Sequence, residues 1–184
     1  MTVLLGLKSK LRIDPLGLSL QPRGYDELMD WRDYDSDACS TARALGVLGD
    51  RWTLLVLREI FNGVRRFDDI SHHIGVARDV LTRRLNSLID EGVVMKMPYR
   101  EPGLRTRYEY RLTPAGKDLR PVLMALMAWG DAHRASGGVP MRVIHPDCGA
   151  PVHLTMVCEA GHELPFDARL GMSEGPGARR LQDG

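Results

Sequence analysis

A change of hydrophobic period between residues 77 and 112 limits what this chain can fold into more than any other feature. Over Ala77–Asp90, Val80, Leu81, Leu85, Leu88 and Ile89 recur at helical spacing. Asp79, Thr82, Arg83 and Asn86 fall on the opposite face of the same segment. Past Gly92 the period drops to two. Val93–Tyr99 and Arg105–Leu112 are rich in Val, Tyr and Thr and read as strands. The stretch Arg100-Glu101-Pro102-Gly103-Leu104 joins them through a Pro-Gly turn. A helix with one polar face running straight into a β-hairpin leaves few architectures open.

The flanking segments narrow the choice. Cys39–Leu48 reads as a helix ended by Gly49, after which Asp50 can cap a helix over Arg51–Phe61. That second helix carries Trp52, Leu54, Leu55, Val56, Leu57, Ile60 and Phe61, apolar nearly all round, which places it at the centre of a core. Asn62-Gly63 turns the chain, and Phe67–Ile74 forms a short helix closed by Gly75. Thr113 then caps a long helix with Pro114 in its first position, where the missing N–H costs nothing. This helix is expected to reach about Arg134, with a kink at Pro121. Its stripe of Leu119, Val122, Leu123, Leu126, Trp129 and His133, widened by Met124 and Met127, is more than one hairpin can cover, which implies a homodimer.

The expected fold class is therefore mainly α with a small β-hairpin wing: a winged helix-turn-helix with a dimerising C-terminal helix. Its core is expected to comprise Leu45, Leu48, Trp52, Leu55, Val56, Phe67, Ile70, Leu81, Leu85, Leu88 and Val94. Residues 1–36 form a poorly ordered arm with at most a short helix near Tyr25–Trp31, and residues 37–136 form the domain. Residues 137–184 form an extension with a Cys/His cluster and a Gly-rich tail expected to lack order.

With 25 basic and 24 acidic side chains, the chain is not a polycation that binds nucleic acid by bulk charge. A local basic face remains possible, since residues 76–112 hold eight basic against five acidic side chains. A helix fits the major groove, where base edges carry a distinguishable donor and acceptor pattern. Arg83 can bond both acceptors of guanine and Asn86 can pair with adenine, with Arg78, Asp79 and Thr82 on the same helix. On the hairpin, Arg100, Arg105 and Arg107 stand beside Tyr99 and Tyr108, a set suited to a phosphate backbone or a minor groove. The alternative from the residues alone is a solvated surface on a protein-interaction winged helix.

The ordered set of short motifs says more than any one of them. Cys39-Ser40, Ala44-Leu45 and the run from Leu48-Gly49-Asp50-Arg51-Trp52 to Leu57-Arg58 are followed in register by Arg66-Phe67-Asp68-Asp69-Ile70 and Leu81-Thr82-Arg83-Arg84-Leu85. Gly92-Val93-Val94, Arg107-Tyr108-Glu109-Tyr110, Leu112-Thr113-Pro114-Ala115-Gly116 and Trp129-Gly130 complete it. Over about residues 38–134 the chain resembles the HxlR-type winged-helix regulators of the MarR-like superfamily. The resemblance implies a homodimeric regulator, more often a repressor, on palindromic double-stranded operators. It departs from the family at the entry to the second helix of the motif, Gly75-Val76-Ala77-Arg78-Asp79, which brings an acidic residue onto the reading face. The resemblance also carries an oxidant- or electrophile-sensing role onto Cys39, and a helix start favours a thiolate.

Three cysteines cannot build a disulfide framework, and the apolar start Val3-Leu4-Leu5-Gly6-Leu7 is too short for a secretory signal. A cytoplasmic chain with reduced thiols is expected. In the extension, His145-x2-Cys148 and Cys158-x3-His162 supply four nitrogen and sulfur ligands in two close pairs, a set that tetrahedral zinc accepts; the alternative is a small β-hairpin flap with free thiols. No H-E-x-x-H or H-x-E…P-C-x-x-C motif occurs, so an enzyme reading rests only on a three-ligand zinc with one open position.

Overall fold

The computed structural model describes residues 12–13, 20–21, 30–100, 103 and 105–181. The chain divides into two compact units, Arg43–Pro165 and a smaller one made of Met1–Ala42 with Phe166–Gly184. In chain order the elements are β1 (Arg12–Ile13), β2 (Leu20–Gln21), two 3-10 turns (Trp31–Asp33 and Ser36–Ala38), α1 (Ser40–Leu48), α2 (Arg51–Phe61), α3 (Phe67–Ile74) and α4 (Arg78–Asp90). There follow β3 (Val94–Tyr99), β4 (Arg107–Leu112), α5 (Pro114–Lys117), α6 (Arg120–Arg134), β5 (Met156–Val157) and β6 (Glu163–Leu164). β1–β2, β3–β4 and β5–β6 are three separate antiparallel pairs.

The core of the larger unit is built on α2. Val56, Leu57 and Ile60 are buried together with Ile70 of α3 and Leu81, Leu85 and Leu88 of α4. Val94 and Tyr110 close the core from the base of the hairpin. Asp50 sets the start of α2: its carboxylate accepts from the Trp52 N–H at 2.8 Å and meets the Arg84 guanidinium of α4 at 2.8 Å. One side chain thus caps a helix and ties it to the helix it packs against.

The helix-turn-helix is formed by α3 and α4. Gly75 adopts a left-handed conformation, with φ of 66°, that lets α3 stop sharply. Val76 fills the turn, and the Ser71 hydroxyl donates to its carbonyl at 2.9 Å. The hairpin runs in register from Val94 opposite Leu112 to Tyr99 opposite Arg107. A short third segment extends it, where the Tyr110 N–H donates to the Arg65 carbonyl at 2.8 Å and Arg66 bridges to Glu109. Burial pushes the Tyr110 phenol above its ordinary pKa, so it stays neutral in the core.

Several expectations need correction. Leu45 is 58% exposed: α1 turns that face away from the core and buries only Leu48. Trp52 and Phe67 pack against the core from its edge, half-buried, as Leu55 is half-buried. Cys39 precedes α1 and ends the second 3-10 turn. The long C-terminal helix is two helices. Pro121 has no N–H, and its ring would strike the carbonyl four residues back, on Lys117. The chain accordingly leaves the helix at Asp118 and starts again, with proline in the first turn of α6. Tyr25–Met29 lie outside the described residues, and Trp31 sits in a 3-10 turn.

The Gly-rich tail, expected to lack order, pairs with the arm inside the smaller unit. The Asp35 N–H donates to the Arg179 carbonyl at 2.9 Å, and the Leu181 N–H donates to the Asp33 carbonyl at 2.8 Å. The Tyr34 hydroxyl bonds Glu174, which Arg180 also holds. The hydroxyl and the guanidinium together keep the Glu174 carboxyl below its usual range.

The base of the hairpin meets α5 with no space to spare. The Thr113 hydroxyl accepts from the Gly116 N–H at 3.0 Å, and a Cβ on Gly116 would lie 2.1 Å from the Val93 carbonyl oxygen. Gly116→Ala must push Val93 out of place. It is expected to destabilise the domain by about 1–3 kcal/mol, read as a lower midpoint of denaturant unfolding.

Candidate nucleic-acid interface

With Leu81, Leu85 and Leu88 fixed in the core, the remaining faces of α4 point to solvent. Asp79, Thr82, Arg83 and Asn86 are all exposed, at spacings of three, four and seven residues from the first. They form one continuous helical face. This is the set that the polar face of the sequence brought together.

The face carries its own counter-charges. Arg83 lies 3.5 Å from the Asp79 carboxylate one turn earlier. Arg78 stacks its guanidinium 4.7 Å above the Phe67 ring and bonds Asp68 of α3 at 2.5 Å. The Thr82 hydroxyl donates to the Arg78 carbonyl at 2.8 Å, which leaves its oxygen lone pairs facing out. Exposed pairs of this kind contribute about 0–1 kcal/mol and exchange readily for another anion.

On the hairpin, Arg100, Arg105 and Arg107 are exposed. Lys96 lies 4.4 Å over the Tyr108 ring, and Arg66 lies 4.7 Å over the Tyr99 ring. Sequence reading did not assign Arg65, Arg66 or Lys96 to the interface. The signal for the first two was available: two adjacent arginines directly before the first helix of the motif, where a strand-like partner for the wing is needed. A cleft of about 540 Å³ opens at this point, where Arg65, Arg66, His72 and His73 face Asp69 and Glu109.

A further residue went unnoticed because it is buried. Glu59 of α2 is 1% exposed. Its carboxylate accepts from Arg58 at 2.6 Å and sits 2.6 Å from Nδ1 of His73 on α3. A desolvated carboxylate satisfied on both oxygens ties the central helix to the helix that backs α4.

The other residues singled out lie elsewhere. Cys39 is half-buried, and its backbone N–H donates to the Ser36 carbonyl at 3.0 Å. His145 Nδ1 lies 3.3 Å from Cys148 Sγ, and Cys158 Sγ lies 3.5 Å from His162 Nδ1. Among the described residues no group of three or more His, Cys, Asp or Glu side chains is placed to hold a metal ion, so the pairs stand one by one. No helix among them is long and apolar enough to cross a membrane.

A helix-turn-helix packed on a central helix and followed at once by a two-stranded wing defines a winged helix-turn-helix domain. The model of the HxlR-like helix-turn-helix family matches residues 47–137, and the chain belongs to that family. Over 127 residues it is 40% identical to an HTH-type transcriptional regulator of Mycobacterium bovis, Mb3122, covering 68% of this chain and 79% of the relative. The same figures hold for Rv3095 of Mycobacterium tuberculosis. Among solved structures, the chain is similar to a candidate transcription factor, PA1607, with a TM-score of 0.64 and 34% identity over 73% of this chain and 95% of that one. It is also similar to the candidate transcription factor PA1374 of Pseudomonas aeruginosa, with a TM-score of 0.52 and 35% identity over 75% and 93% of the two chains.

The Glu59 tie can be tested apart from the reading face. Glu59→Gln keeps the shape but removes the charge that Arg58 and His73 meet. It is expected to lower unfolding stability by about 1–3 kcal/mol. A His73→Ala background should shrink that loss in a double-mutant cycle; equal losses in both backgrounds would show that the contact carries no energy.

Proposed function

We propose that the protein is a sequence-specific DNA-binding transcriptional regulator, a repressor, that grips a palindromic operator as a homodimer in the cytoplasm. The observation that carries this reading is the continuous exposed face Asp79, Thr82, Arg83, Asn86 on the second helix of the motif, followed in the chain by the exposed arginines of the wing. Arg83 and Asn86 read base edges in the major groove, and Arg100, Arg105 and Arg107 hold the backbone beside it. An enzymatic role has no comparable support, and a winged helix that binds only protein would show no salt-dependent affinity for DNA.

The second copy is assigned to α6. None of its residues is buried, although Val122, Leu126 and Trp129 stand exposed along it, Trp129 at 54%. A second α6 would cover that stripe. Two-fold symmetry then sets the two recognition helices roughly 34 Å apart, one turn of DNA. Cys39, half-exposed directly before α1, is assigned the sensing of oxidants or electrophiles.

Three outcomes are expected. Arg83→Ala or Asn86→Ala should cost about 1–3 kcal/mol on the operator and relax specificity, whereas Arg105→Ala or Arg107→Ala should weaken all DNAs alike and lower the salt slope by about one. Equal losses on operator and random DNA for all four would reverse these roles. Leu126→Glu should yield a monomer in sedimentation with its unfolding midpoint preserved; a wild-type monomer at micromolar concentration, with no dimer on DNA, would remove the dimer. Oxidant should release operator from the wild type but not from Cys39→Ser, and equal release from both would acquit the thiol.

A further inference from the structure

The two His–Cys pairs of the extension have a common construction that the DNA-reading surface does not use. In the first, the His145 N–H donates to the Ala150 carbonyl at 2.8 Å and the Gly149 N–H returns to the His145 carbonyl at 2.7 Å. In the second, the Cys158 N–H donates to the His162 carbonyl at 3.0 Å and the Gly161 N–H returns to the Cys158 carbonyl at 2.8 Å. Gly149 and Gly161 both take left-handed conformations, with φ of 69° and 82°. Each turn therefore folds one imidazole and one thiol to the same side of a tight loop.

The separations within the pairs have a chemical meaning. A tetrahedral zinc ion with bonds of about 2.0–2.1 Å to nitrogen and about 2.3 Å to sulfur sets those two ligands about 3.6 Å apart. The observed values are 3.3 and 3.5 Å. In both pairs the nitrogen facing sulfur is Nδ1. On His145 the other ring nitrogen lies 3.7 Å from the Asp147 carboxylate, a negative charge beside the imidazole at longer than hydrogen-bond range.

Backbone pairing holds the segment locally, β5 with β6 and Ile144 with Pro151, but no core does. No residue from 139 to 165 is buried, and Met141, Ile144 and Val157 are exposed. A piece of this size without a core needs a cross-link or a metal.

We propose that His145, Cys148, Cys158 and His162 are two halves of one zinc site, closed when a single divalent ion bridges the turns. On binding, the two thiols release their protons to solvent and four bonds form, two to thiolate and two to neutral imidazole. The nine residues 149–157 between the halves are the span that lets them meet. The ion supplies the folding energy of residues 139–165 and leaves no coordination position open, so the site is structural.

The test uses the full chain purified without a histidine tag. Elemental analysis should find about one zinc per chain, and cobalt substitution should give the visible absorption of a tetrahedral ion with thiolate charge-transfer bands. Cys148→Ser and Cys158→Ser, each alone, should abolish both, because neither half suffices. The winged-helix unfolding transition should survive in these variants. In the wild type, chelation should open residues 149–157 to protease and zinc should close them again. Fewer than about one zinc per five chains would overturn the site, as would metal retained by either single variant or cobalt spectra without thiolate bands.

Discussion

The structure depends on the packing of α2 against α4. Val56, Leu57 and Ile60 are buried in one cluster with Leu81, Leu85 and Leu88, and this packing fixes which side of α4 faces outward. A helix has one buried stripe, so orienting it toward α2 orients everything else on it. Asp50 reinforces the arrangement from the end, since the same carboxylate starts α2 and holds Arg84. Glu59 does so from the middle, through His73 on α3. The two carboxylates work at different depths: Asp50 is partly solvated, whereas Glu59 depends wholly on its partners for the charge it keeps out of water.

Where one strong local signal decided an element, the sequence was enough to place it. Gly75, Gly92 and the Asp50 cap mark helix ends that the structure reproduces, and the change of period after Gly92 marks the wing. The polar side of Ala77–Asp90 was legible because its apolar side was unmistakable. Failures came where two residues far apart decide together. Leu45 looks like core because α1 is amphipathic, but nothing in the sequence of α1 says which neighbour it lacks. Glu59 sits among apolar residues, and only the arrival of His73 from α3 makes its burial tolerable. Pro121 reads as a kink in the sequence, while the structure divides the helix: Asp118 and Leu119 keep right-handed angles but with ψ of −13° and −4°, a turn between α5 and α6.

The two ends of the chain show the same limit. Composition marks residues 166–181 as loose, with little apolar matter to bury. They are held instead by backbone pairing with residues 33–35 and by the Tyr34, Glu174 and Arg180 cluster. No periodicity announces a pairing between segments some 140 residues apart. In the same way the His–Cys turns were legible as spacing, while their shared left-handed glycines became visible only in three dimensions.

Two carboxylates beside the arginines of α4 bear on how the proposed regulator would find a site. Asp68 and Asp79 act as built-in counterions for Arg78 and Arg83. An arginine that leaves a carboxylate to meet a phosphate gains somewhat less than a free one, because one weak exposed ion pair replaces another. On the proposed reading, random duplex would offer this surface a shallower well than a bare cationic face would find, and a base sequence that supplies directional hydrogen bonds would make the exchange worthwhile. Such a surface would trade grip for mobility, lingering less at each wrong register and leaving for the search time that a more cationic helix would spend on irrelevant DNA.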